Sequence, residues 1–138
     1  MIRAPVVPAA IVHLAADDSV TLRGSRCSAC AHVDYPPAQA CTECGAAVSE
    51  ELLGSAATVH VVTAVRVKPP FGLPSPYWVG YVDLRSVPLR VFALFEAAGV
   101  PYRIGEQVEL RLAALGVGLD GAPCRRPVFA RPSAPDRG

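Results

Sequence analysis

A chain of 138 residues with 51% hydrophobic content can bury a real core in one domain, or one and a half. No apolar run approaches the roughly 18 residues of a membrane-spanning helix, and the prolines in Met1-Ile-Arg-Ala-Pro-Val-Val-Pro8 break the stretch a signal peptide needs, so a cytoplasmic location is expected. The formal charge of +1 argues against a generic polyanion binder, but it is unevenly spread: residues 1–65 carry three arginines against six acids, and residues 66–138 carry ten bases against six acids.

Residues 1–19 read as an apolar, proline-punctuated N-terminal arm. Pro8 can open a short helix through residues 9–14, and the segment suits either a docking arm or a frayed end. Asp17-Asp18-Ser19 is a turn signal, and Val20 to Arg26 an extended entry into the next motif. That motif is Cys27-Ser-Ala-Cys30 followed ten residues later by Cys41-Thr-Glu-Cys44. Two such turns supply four thiolates, the closed tetrahedral set that a structural Zn²⁺ prefers. With four positions filled, none is left for a reactive water. A redox dithiol would need only one pair, and two disulfides would need an oxidising compartment. Gly45 follows the last ligand, where a turn calls for a positive φ. His32 reads as a neighbour of the site rather than a fifth ligand. Residues 20–53 are therefore assigned to a zinc ribbon with little core of its own.

Residues 54–131 read as a small barrel. Val59, Val61, Val65 and Val67 recur at period two in a strand over 57–67. Lys68 to Pro76 holds four prolines and cannot continue a central strand, so it is a stiff loop presenting Phe71 and Leu73. Tyr77 to Leu84 alternates again, with Trp78, Val82 and Leu84 on one face. Leu89, Val91, Ala93 and Phe95 mark a third strand, and Val108, Leu110 and Leu112 a fourth. Gly116, Gly118 and Gly121 suggest a loop, Val128-Phe129 a closing strand, and residues 132–138 a disordered tail. The chain is expected to be mainly β, a rubredoxin-like zinc ribbon followed by a small OB-fold barrel. No nucleophile–base pair appears. Cys124 stands outside the zinc set in a Gly/Pro-rich loop without a base, so no catalytic residue is assigned.

Several stretches together resemble one bacterial and archaeal family, formerly a domain of unknown function and associated with thiolase-like enzymes and acyl-CoA. These are Leu22-Arg-Gly-Ser-Arg-Cys27, Cys30, Tyr35-Pro-Pro37, Cys41-Thr-Glu-Cys44, Gly54, Pro69-Pro70, Tyr77-Trp-Val-Gly-Tyr-Val-Asp-Leu84 and Ile104-Gly-Glu-Gln-Val108. Ala31 and Thr42 depart from it, standing where the family usually has Gly and Pro. The resemblance implies a non-catalytic acyl-CoA-binding accessory subunit of a thiolase-superfamily or lipid-transfer-protein-like enzyme: a thiolase, a condensing enzyme or a steroid side-chain retro-aldolase. The partner would carry the catalytic residues, and one structural zinc would be held by Cys27, Cys30, Cys41 and Cys44. For CoA phosphates and adenine the barrel offers Arg66, Lys68, Phe71, Tyr77 and Arg90, with Arg125 and Arg126 further on. On this reading the ribbon and arm meet the partner and the basic barrel meets CoA. The rival class is a nucleic-acid-binding zinc-ribbon/OB protein, in which exposed aromatics stack bases; the near-zero net charge counts against it.

Overall fold

The computed structural model describes residue 6 and residues 8–17, 19–97 and 100–132. Among these, regular structure consists of nine short β-strands and two 3-10 turns, arranged as a ribbon sheet and a five-stranded closed barrel. The ribbon is built on β2 (Val20–Cys27). β1 (Val12–Leu14) pairs antiparallel with the first residues of β2, while β3 (Val33–Asp34) and β4 (Val48–Leu52) pair with its second half.

The helix expected after Pro8 is reduced to a single 3-10 turn, Ala9–Ile11. Val12 then turns extended and pairs with Leu22, as suits a β-branched side chain. Val12 is only 7% exposed, and Val6 bridges Arg125 in the barrel. The described part of the arm is therefore tied to the fold at Val6 and at Val12–Leu14, while Pro8, Ala9, Ala10 and Leu14 keep their side chains exposed. The tail expected over 132–138 lies outside the described residues apart from Pro132.

The barrel strands are β5 (Ala56–Val65), β6 (Tyr77–Leu84), β7 (Arg90–Phe95), β8 (Gln107–Val117) and β9 (Pro123–Ala130), ordered β5-β6-β7-β9-β8 with β8 returning to β5. Only β7 and β9 run parallel, and they meet at one pair, Phe95 and Phe129. This is the Greek-key barrel of the OB type. Pro127 lies within β9 opposite Leu112 and has no N–H to donate to either neighbour. Upstream of Phe129 the β7–β9 seam consequently stays open.

Alternation predicts the inward faces of β6 and β7 correctly: Val82, Leu84, Val91, Ala93 and Phe95 are buried. It fails in β5, where the register with β6 shifts between Val59 and Val61. The extra residue, His60, reverses the parity. Val59 is buried, Val61 and Val67 are exposed, and Val62 packs inward instead. Gly80 sits opposite this bulge, where a Cβ would run into the Val61 carbonyl. Only glycine lets the bulged strand approach so closely. β8 runs through Gly116 with a second register shift, and β9 is eight residues long rather than a two-residue closing strand. The proline loop presents Phe71 as expected, but Leu73 is buried, lying against Gly116 of β8.

One hydrophobic cluster spans both parts of the molecule. Val12, Leu22 and Leu53 from the ribbon pack with Val59, Val82, Val91, Leu110 and Phe129 from the barrel. In the ribbon, which was expected to meet the partner, Leu22 and Leu53 are 1% and 0% exposed, whereas Leu52 is 47% exposed. The ribbon solves its lack of a core by borrowing the barrel's. The joint is also hydrogen-bonded, with Leu53 N–H donating to Leu22 O (2.9 Å) and Ser86 Oγ to Leu53 O (2.6 Å).

Candidate functional site

β2 delivers Cys27 at its end, and two tight turns bring the other three cysteines to it. All four sulfurs lie within 4.8 Å of one another. Cys27 and Cys44 Sγ are 3.4 Å apart, and Cys30 Sγ is 3.7 Å from both Cys41 and Cys44 Sγ. A tetrahedron with metal–sulfur bonds of ~2.3 Å has edges of about 3.8 Å, so the cluster is the right size for one four-coordinate ion. The turns repeat one design. Ala31 N–H donates to Cys27 O and Gly45 N–H to Cys41 O, while the N–H groups of Ala29 and Cys30 point at Cys27 Sγ and that of Glu43 at Cys41 Sγ, each at 3.3 Å. These donors stabilise thiolate over thiol.

Without a cation among them the sulfurs compete for charge. The N–H of Cys30, then that of Ala29, draws the Cys27 thiol down to about 6. The His32 N–H also favours a Cys30 thiolate, but the Cys27 sulfur and burial outweigh it and push Cys30 up to about 12. Cys44 is raised as well: the Ala46 N–H opposes the shift, and the Cys27 sulfur drives it. A bound dication removes this conflict by neutralising the thiolates. The donor set is all sulfur and closed, which fits a structural metal of the zinc-ribbon type.

Ala31 has φ +65°, the counterpart of Gly45 at +79°. A left-handed alanine is strained by roughly 1–2 kcal/mol, part of which glycine returns through its larger unfolded-state entropy. Ala31→Gly is expected to raise stability by about 1 kcal/mol in urea melts of the metal-loaded protein, with metal stoichiometry unchanged.

Sequence reasoning missed Asp34 and Thr42. Asp34 Oδ1 accepts from Thr42 Oγ1 at 2.5 Å and lies 3.2 Å from His32 Nε2, and Asp34 Oδ2 accepts from the Thr42 N–H at 3.2 Å. The Thr42 hydroxyl, with His32 assisting, holds the Asp34 carboxyl below its usual range. One carboxylate thus laces β3 to the second cysteine turn. A proline at 42 could make neither Thr42 bond, so the departure at this position has a structural use. His32 is engaged with Asp34 and lies outside the sulfur cluster. Cys124 is buried, with its thiol on Leu115 O at 3.6 Å.

Arg66 and Lys68 are exposed just beyond β5, Phe71 lies in the 3-10 turn Pro70–Gly72, and Tyr77 opens β6, so these four share one end of the barrel. Arg90 is not with them. It pairs with Asp83 at 2.6 Å, six residues along β6 from Tyr77, or roughly 20 Å away. The outer face of β5–β6–β7 carries a cross-strand row of exposed apolar side chains: Val61, Tyr81 and Phe92. The Tyr81 and Phe92 rings meet edge to face with centroids 5.7 Å apart. Beside this row a cleft of about 580 Å³ runs along the open β7–β9 seam, flanked by Ile11 and by Tyr35 of the ribbon.

Comparison with known proteins places this geometry. Residues 19–50 match the family model described as the ChsH2 rubredoxin-like zinc ribbon domain. The chain is 34% identical over 103 residues to benzoylsuccinyl-CoA thiolase subunit BbsA of Geobacter metallireducens, covering 74% of this chain and 68% of that protein. It is 30% identical over 102 residues to BbsA of Thauera aromatica, covering 74% and 70%. A solved structure described as an Ltp2–ChsH2(DUF35) aldolase superposes with a TM-score of 0.63 at 24% identity, covering 80% of this chain and 84% of the matched one; this likeness speaks to the fold.

Proposed function

From the premise that this chain belongs to the zinc-ribbon-plus-OB-fold family that includes the thiolase subunit BbsA, we propose that it is a non-catalytic accessory subunit of a thiolase-superfamily enzyme and takes part in binding that enzyme's acyl-CoA. The observation that carries this reading is the alignment with two thiolase subunits over 74% of the chain, more than the ribbon alone can span. The metal proposed for the four cysteines is one zinc ion per chain. Bound there, it would cross-link the two turns, and with four sulfurs around it would offer no position for substrate or water.

The structure supports moving the partner face from the ribbon and arm, where the sequence reading puts it, to the barrel, while the CoA end stays where it was expected. Leu22 and Leu53 of the ribbon are spent on the shared core, and β1 belongs to the ribbon sheet, which leaves Leu14 and Leu52 as scattered exposed leucines. The contiguous cross-strand apolar row suited to a partner subunit is Val61–Tyr81–Phe92 on the barrel. Arg66, Lys68, Phe71 and Tyr77 form a separate basic and aromatic end suited to the phosphates and adenine of CoA.

Co-expression with a thiolase-like partner tests both assignments. Tyr81→Ser/Phe92→Ser should abolish co-elution while leaving metal content and thermal melting unchanged. Arg66→Glu/Lys68→Glu should leave co-elution intact and raise the complex's KM for acyl-CoA at least tenfold. Loss of co-elution from the charge variant alone would reverse the two faces. Sustained acyl-CoA turnover by the isolated chain would refute the non-catalytic role. One observation favours nucleic acid instead, since Tyr81 and Phe92 lie on the face that OB barrels use for oligonucleotides. That reading requires salt-sensitive binding of single-stranded oligonucleotide, lost in the same aromatic variant.

A further inference from the structure

Side chains, rather than the backbone, fix the proline loop between β5 and β6. Among the described residues, the one backbone hydrogen bond made by residues 66–76 is Leu73 N–H to Pro70 O, internal to the loop. Leu73 is buried against Gly116 of β8, and a Cβ on Gly116 would run into the Phe71 carbonyl. Phe71 itself is held at φ +54°, a left-handed conformation that a bulky residue keeps only where its surroundings over-determine it.

Arg126 of β9 is part of those surroundings. Its guanidinium lies over the Phe71 ring, 5.0 Å from the centroid, and its Nη2 donates to Val117 O at 2.5 Å. The ring face attracts the cation, so the two contacts tie the loop to the β8–β9 hairpin. The Arg126 Nε is buried with no hydrogen-bond acceptor among the described residues, which costs stability. Two unfavourable features, the left-handed Phe71 and the unpaired Nε, thus meet at one contact. Backbone strain of this kind gathers at ligand clamps, where a fixed geometry serves binding. Phe71 stays 44% exposed, on the same loop as the exposed Arg66 and Lys68.

We propose that Arg126 is a positioning residue for CoA: it acts through Phe71, holding the ring in place for adenine to stack on, with Arg66 and Lys68 left for the phosphates. The inference rests on the reading of this end of the barrel as the CoA site. The sequence offers Arg126 as a direct partner of CoA. With its Nε buried and its Nη2 on Val117 O, the guanidinium is committed to the loop instead. A ring already in place lowers the ordering cost when the base arrives, and a π-face is what the base needs.

Two measurements test it. In the metal-loaded chain alone, chymotrypsin should cut after Phe71 at least tenfold faster in Arg126→Gln than in the native protein, with the rest of the barrel still resistant. In the complex with the thiolase-like partner, Arg126→Gln should raise KM for an acyl-CoA at least fivefold and leave kcat within twofold. KM for the same acyl group on pantetheine, which lacks the nucleotide, should not change. Arg126→Lys, which keeps a cation for the ring, should recover most of the loss. Phe71→Ala should raise KM to the same extent, and adding Arg126→Gln to it should have no further effect. Additive effects would show Arg126 touching CoA itself and overturn the positioning role, as would unchanged cleavage or an equal rise in KM for both thioesters. An unchanged KM for acyl-CoA in Arg126→Gln would also overturn it. If Arg66→Glu/Lys68→Glu then raises KM, the failure is confined to Arg126; if that variant leaves KM unchanged too, the CoA reading of this end fails with it.

Discussion

Chelating the metal, or replacing Cys41 with alanine, is expected to unfold the ribbon sheet completely. β3 has two residues and β4 five, and a sheet this small buries little apolar surface of its own. Apparent metal-binding energies of about 10–16 kcal/mol in small zinc modules match or exceed the ~5–15 kcal/mol total stability of an ordinary domain. Elemental analysis should give one equivalent of zinc, and circular dichroism should lose ribbon signal in step with its removal. Rebinding should release protons, more of them as the starting pH falls. A metal-free protein that melts at the same temperature would show that the cluster has no structural role.

Leu53→Ala should be nearly as damaging, at about 2–5 kcal/mol. Leu53 is fully buried where ribbon and barrel share one cluster, so the cavity opens into both. The two parts should unfold together. Tryptophan fluorescence reports the barrel through Trp78 in β6, and ultraviolet absorbance of the metal–thiolate bonds reports the ribbon. In urea the two signals should share one midpoint in the native protein, and in Leu53→Ala they should move together to a lower one. Separate midpoints would mean that the shared cluster does not couple the two parts.

What the sequence revealed depended on the range of the interactions involved. The four cysteines are legible because C-x-x-C fixes sulfur geometry within each turn. β6 and β7 are legible because unbroken alternation reports a half-buried strand. β5 was legible only as far as His60, since one inserted residue reverses the face of everything after it and leaves no mark beyond Gly80 on the neighbouring strand. The arm was illegible because its partner Arg125 lies more than a hundred residues away. Asp34 was missed because its role depends on Thr42, a residue of no special type that the fold brings alongside. The cleft was beyond reach for the same reason: the arm, the ribbon and four barrel strands each contribute to it.

The shared cluster also constrains how the molecule can be made. A ribosome adds about 5–20 residues per second. Leu22 and Leu53 emerge early, but their packing partners Leu110 and Phe129 emerge near the end. For roughly four to fifteen seconds on every nascent chain, at that rate, the ribbon can hold its metal yet shows two bare leucines to its surroundings. β9, made long after the ribbon, completes the cluster that Leu22 and Leu53 began. A metal bound early guards the cysteines against oxidation during this interval, while the leucines wait, exposed to any chaperone that binds apolar surface.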